Sequence, residues 1–304
     1  MSKELSLRGF LLTVHSPSEQ HLIVTIDCSN IPWQLYGRLI AELQDTLSMI
    51  DEDYALKSIR GRSLGAKHKR VIDLGTVTRR RILKFSPFPT RFSNILSSVR
   101  RKLYEKVNQN CIVIQKMAQG NYRRNLYLLP QDLAEKFLMQ VEFLNKEIEE
   151  LNKQIENYDL TPIQDILERY QLQLPPTKTK IPSITVDLTP IELDPMIIEK
   201  WAQVSPRVAE LLEEKRKTLV KKAVESIRLQ IEPIVKALAG EKQLRKIKER
   251  LEELRTLAES AGLYGLANSV IVPLIENLDN PKKLHRNLPE YVDERIKSLL
   301  KSIE

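Results

Sequence analysis

Between Leu56 and Lys106 the chain holds 15 lysines and arginines against two acidic residues, Asp73 and Glu105. The segment carries +13 while the whole chain carries +8, so all other residues together sum to −5. Cations gathered at that density attract phosphates, and each phosphate they neutralise releases condensed counterion from a nucleic acid. The residues expected to make those contacts are Arg60, Arg62, Lys67, Lys69, Arg70, Arg79, Arg80, Arg81, Lys84, Arg91, Arg100, Arg101 and Lys102. Tyr104, Tyr122 and Phe85 are the candidates for stacking on bases. No helix-turn-helix, ribonucleoprotein aromatic motif or zinc finger is recognisable, so the expected ligand is DNA or RNA bound without sequence preference.

Other residue types that do chemistry are poorly placed for it. His15, His21, His68 and His285 are scattered, and His68 sits inside the basic segment. Asp51-Glu52-Asp53 lacks the spaced oxygen ligands and the glycine of an EF-hand. It reads as a helix end or a charge partner for Lys57 and Arg60. Gly61-Arg62-Ser63-Leu64-Gly65-Ala66-Lys67 departs from a phosphate loop, because Gly65 is followed by Ala66 and no Ser or Thr follows Lys67. Cys28 and Cys111 make neither a disulfide framework nor a zinc cluster. These patterns point to a non-enzymatic binding protein with no cofactor and no metal.

The elements that must position the cations follow from periodicity. Leu7–Val14 and His21–Cys28, joined by Ser16-Pro17-Ser18-Glu19, read as a hairpin. Asn30 and Pro32 open a helix with Leu35, Leu39, Ile40, Leu43, Leu47 and Ile50 on one face. Within the basic segment, 60–70 reads as an exposed loop, and Val71–Leu74 and Ile82–Phe85 as short strands. From about Thr90 a helix puts Phe92, Ile95, Leu96, Val99 and Leu103 on one face, flanked by Arg91 and Lys102, with Arg100 and Arg101 turned away. Cys111–Met117 and Tyr122–Leu129 read as a second hairpin.

After Pro130 the pattern becomes helical. Phe137, Val141, Leu144, Ile148, Leu151, Ile155 and Tyr158 form a heptad seam, and a shorter helix capped by Thr161, with Pro162 following, comes after it. Residues 174–195 are rich in Pro and Thr and read as an extended connector able to add one edge strand. Trp201, Val204, Val208 and Leu211 form a further stripe, and Val220, Val224, Ile227, Ile231, Ile234 and Leu238 another. That second stripe can pair with Leu244, Ile247, Leu251, Leu254 and Ala258 or with another chain. The short turn at Gly240 favours the first. Pro206 and Pro233 are expected to start or kink helices, and Gly262 and Gly265 to mark a break.

The expected fold is mainly α with an N-terminal α+β domain and long antiparallel coiled-coil-like helical hairpins in the C-terminal half. Its expected segments are a basic domain over 1–129, a helical segment over 130–173, a connector over 174–195 and a helical domain over 196–304. Abundant Lys, Glu, Ile and Leu with few Cys and His point to a thermophilic protein. The cysteine usage and the lack of a leader-like or membrane-length apolar run point to a soluble protein of the cytoplasm or of a virion.

Ser63-Leu64-Gly65, Arg70-Val71-Ile72-Asp73, the amphipathic Phe92–Arg101 helix, Leu128-Leu129-Pro130 and Asn157-Tyr158-Asp159 also carry a likeness. Over about residues 7–165 the chain resembles a phage and bacterial family of unknown function, often encoded beside MoxR-type AAA ATPases. The resemblance implies a virus or mobile-element setting and an ATPase partner. An alternative role follows, a structural or adaptor subunit whose helices make protein contacts or homo-oligomers and whose basic surface meets an acidic partner.

Overall fold

The computed structural model describes residues 7–50, 82–119, 122–175, 180–238, 244–279 and 288–301. In chain order the elements begin with β1 (Leu7–His15), a 3-10 turn at Glu19–Leu22, β2 (Val24–Asp27), α1 (Trp33–Ile50) and β3 (Ile82–Phe85). Next come α2 (Thr90–Asn110), β4 (Ile112–Gln119), β5 (Tyr122–Pro130), α3 (Gln131–Glu156), α4 (Thr161–Arg169) and β6 (Thr185–Leu193). The chain closes with α5 (Pro195–Val204), α6 (Pro206–Leu238), α7 (Leu244–Ser260), α8 (Tyr264–Leu266), a π turn at Ala267–Ile271, α9 (Val272–Asp279) and α10 (Leu288–Lys301). The fold is mainly α with a smaller β component, and among the described residues no helix is long and apolar enough to cross a membrane.

These elements gather into two units, each built from separated stretches. One comprises Met1–His15, Tyr104–Val141 and Thr185–Glu304, the other Ser16–Leu103 and Glu142–Ile184.

The first unit contains an antiparallel sheet in the order β4-β5-β1-β6. The expected pairing of Leu7–Val14 with His21–Cys28 is not formed. β1 pairs with β6 along its whole length, from Leu7 opposite Leu193 to His15 opposite Thr185, and with β5 on its other edge. β2 has four residues and pairs with β3 instead. A nine-residue partner satisfies more of β1's backbone groups than a four-residue one can. The hairpin of β4 and β5 is present as expected, and the edge strand expected after residue 174 is β6. Pro190 in β6 is tolerated because an edge strand leaves one row of N–H groups without sheet partners. Across the β1–β6 pair, Arg8 reaches Glu192 at 3.3 Å and Asp194 at 2.9 Å, and Asp187 accepts from Thr13 at 3.3 Å.

Gly9 marks the tightest point of that sheet. Its φ is +155°, and a Cβ there would lie 2.2 Å from the Leu129 carbonyl oxygen. Only a residue without a side chain allows β1 and β5 to approach so closely.

The helices of this unit converge on one core with the sheet. Leu7, Ile112, Ile114, Leu128 and Leu193 share a buried cluster with Val220, Val224, Ile227 and Ile231 of α6 and with Leu251 and Leu254 of α7. α6 starts at Pro206 and continues through Pro233. α7 ends where Gly262 takes φ 78°, with Leu263 N–H donating to the Ala258 carbonyl at 2.8 Å. That is the left-handed cap a glycine permits. One expected stripe differs, since Trp201, Val204, Val208 and Leu211 are exposed.

In the second unit a two-stranded sheet is too small to be stable alone and depends on helices for its core. Val24, Ile26, Leu83 and Phe85 share a cluster with Leu39, Leu43 and Leu47 of α1 and Ile163, Ile166 and Leu167 of α4. On α1, Tyr36 takes the buried position expected for Leu35, which is exposed. Leu160, not Thr161, stands at the N-cap of α4 and makes no side-chain capping bond, while Asp159 before it accepts the Thr161 N–H at 2.9 Å. The Thr161 hydroxyl and N–H hold the Asp159 carboxyl below its ordinary range.

Two asparagines on α3 hold the segment 181–184, which lies after α4 and before β6. Asn152, buried, donates to the Ile181 carbonyl at 3.0 Å and accepts the Ile181 N–H at 2.8 Å. Asn145, two turns earlier, makes the same pair of bonds to Ile184 at 3.1 and 2.7 Å. Each amide imitates the backbone of a neighbouring strand.

Two substitutions test these anchors. Gly9→Ala should destabilise the protein by well over about 1 kcal/mol in denaturant titration, since its Cβ meets backbone and not a movable side chain. Asn152→Ala leaves two buried backbone groups of Ile181 unpaired and should cost about 2–3 kcal/mol. An unchanged midpoint for either variant would contradict its assigned role.

Candidate nucleic-acid interface

Arg60, Arg62, Lys67, Lys69, Arg70, Arg79, Arg80 and Arg81 lie outside the described residues, as do Asp51-Glu52-Asp53, Val71–Leu74 and His68. Lys84, Arg91, Arg100, Arg101 and Lys102 are described, on β3 and on the first part of α2.

Strand alternation places Lys84. Leu83 and Phe85 turn into the core, so Lys84 between them stands exposed opposite Thr25. Phe85 is only 1 % exposed, which removes it as a stacking surface for bases. Tyr104 retains exposed ring area, and the Tyr122 side chain lies outside the described ones.

On α2 the buried positions are Phe92, Leu96, Val99, Leu103 and Val107. Arg91 is exposed and its guanidinium lies 5.2 Å from the Phe92 ring centroid, a cation–π contact that leaves donors facing water. Phe92 is held in turn by Phe88 and Tyr158, with centroids 5.9 and 5.7 Å away. Arg101 is exposed, opposite the buried face.

Arg100 and Lys102 are less available than expected. Arg100 is half-buried, and its Nε is out of solvent with no hydrogen-bond partner. At 100° per residue it stands about 60° from the centre of the buried face once Val107 is counted in that face. Lys102 donates to both Glu147 carboxylate oxygens on α3, each at 2.7 Å, so its charge is locally matched. The cations exposed among the described residues of the interface are thus Lys84, Arg91 and Arg101. The Lys102–Glu147 pair joins residues 45 positions apart, and no local spacing signals it.

No group of three His, Cys, Asp or Glu side chains able to hold a metal ion occurs among the described residues. Cys28 and Cys111 are both buried, and burial pushes the Cys111 thiol far above its ordinary range. Such a thiol is protonated at neutral pH and is a poor nucleophile.

No protein-family model, curated protein or solved structure matches the chain, so the functional reading rests on its own residues.

The thiol environment is directly measurable. Titration of the native protein with a colour-forming disulfide reagent at neutral pH should detect neither cysteine, while the unfolded protein should give both. Fast reaction of a native thiol would contradict this burial and reopen nucleophilic chemistry.

Proposed function

We propose that the protein is a non-enzymatic, polyanion-binding protein that engages the phosphates of DNA or RNA without sequence preference. The observation that carries this reading is the concentration of +13 within residues 57–106 of a chain otherwise at −5. Lys84, Arg91 and Arg101 support it, since all three side chains are exposed. Arg60 through Arg81 supply most of the charge. Lys102, matched by Glu147, adds little net attraction, and half-buried Arg100 contributes little reach.

A second reading is favoured by a different observation. Trp33 and Met49 on α1, and Met139 and Phe143 one turn apart on α3, are large apolar side chains in water. Such faces suit contacts with other proteins. An adaptor subunit, with the AAA ATPase that the family resemblance implies as its partner, would use them and would direct the basic segment at an acidic protein.

Fluorescence anisotropy with labelled DNA and RNA at two salt concentrations separates the readings. Wild-type affinity should fall steeply with salt, and Arg79→Ala/Arg80→Ala/Arg81→Ala should weaken binding to every sequence alike. The salt slope should flatten by about one for each phosphate that the variant no longer neutralises. Lys102→Ala should leave binding nearly unchanged. Absence of binding to either nucleic acid at low salt would end the proposal, and loss of a protein partner in the triple variant would favour the adaptor.

A further inference from the structure

α5 and α6 meet at Ser205, and four apolar side chains around that junction stand exposed. They are Trp201, Val204, Val208 and Leu211, with Val204 78 % and Leu211 60 % exposed. Between Pro195 and Thr218 the buried residues are Ile198 and Ala209 alone, so this helical pair contributes little to the unit's core. Further along α6, by contrast, Val220, Val224, Ile227 and Ile231 are fully enclosed. Apolar side chains exposed close together and bordered by charge suit contact with another protein.

The charges beside it select the occupant. Arg207 and Glu214, both exposed, flank Val208 and Leu211 on the same side of α6, within about 20° of each other around the helix. They stand two turns apart, about 10.5 Å of rise, beyond the i, i+4 reach at which side chains on one helix pair. A second α6 laid antiparallel, with its two-fold axis midway between Val208 and Leu211, sets each Val208 on the other copy's Leu211. The same axis sets each Arg207 beside the other copy's Glu214, and the pair occurs twice because the contact is isologous. A parallel arrangement directs Arg207 and Glu214 to the opposite flank, where the nearby charge, Arg216, is already bound by Glu213 at 2.6 Å.

We propose that the protein self-associates through this surface, with the α6 amino-terminal turns of two copies antiparallel and Trp201 and Val204 of α5 closing the contact. The inference is independent of the nucleic-acid reading, since it uses none of residues 57–106. A two-fold copy would double the cationic segments presented to one polyanion, which raises avidity without a new contact. With only Trp201, Val204, Val208 and Leu211 from each copy the contact is small for a permanent dimer, so the association should depend on concentration.

Sedimentation velocity on the full chain, over about a hundredfold range of concentration, tests it. The wild type should shift from monomer toward dimer. Leu211→Glu should remain monomeric, with unchanged helicity because the side chain is exposed. Arg207→Glu and Glu214→Arg, each alone, should weaken association by about tenfold or more, since each sets like charges against each other. The double variant Arg207→Glu/Glu214→Arg should restore association to within about threefold of wild type, because the swapped charges again match. A wild type that stays monomeric throughout would overturn the proposal and assign the face to another occupant. Failure of the double swap to restore association would overturn the antiparallel pairing.

Discussion

The first unit depends on β1 lying between β5 and β6. Through that strand the chain's first described residues hydrogen-bond to segments more than a hundred positions away, along Gly9–Leu12 on one edge and Leu7–His15 on the other. Its backbone approaches β5 so closely that position 9 admits no Cβ. Once β1 is set, Leu7 and Leu12 are buried, and the sheet presents the surface against which α6 packs, with α7 packed in turn on α6. Loss of this strand would expose the inner edges of both neighbours and the apolar side chains that now cover each other.

The second unit solves a different problem, that of a small sheet with little core of its own. Its two strands bury four side chains, and α1 and α4 supply most of the remaining apolar cluster. α3 adds hydrogen bonds of strand type from a helix, through Asn145 and Asn152 to Ile184 and Ile181. A buried Ile181 peptide without Asn152 would carry two unmet polar groups. The same helix supplies Glu147 to Lys102, so α3 both anchors the extended chain and matches part of the basic charge.

Charge is therefore treated differently along the basic stretch. Lys84 and Arg101 are exposed, Arg91 rests over an aromatic ring, Arg100 is half-buried, and Lys102 is neutralised by a carboxylate. A count of cations therefore overstates the positive field that α2 presents. Apolar surface is divided in the same uneven way. The α6 stripe beginning at Val220 is enclosed, while Trp201, Val204, Val208 and Leu211 are exposed.

Much of this molecule is legible in local pattern. Period-two and period-3.6 spacing locate β3, the β4–β5 hairpin, α2, α3 and the seams of α6 and α7, because one residue's direction along a helix or strand depends only on its own geometry. The proline-bearing edge strand and the glycine cap at Gly262 follow from backbone chemistry in the same way. Tertiary structure alone decided that β1 joins β6 and not β2, that Tyr36 displaces Leu35 from the core, that Lys102 meets Glu147, and that Trp201 through Leu211 remain in water. Those outcomes depend on which distant surface competes most successfully for a given edge or face. Periodicity states that a face is apolar, and only the assembled neighbours determine whether anything covers it.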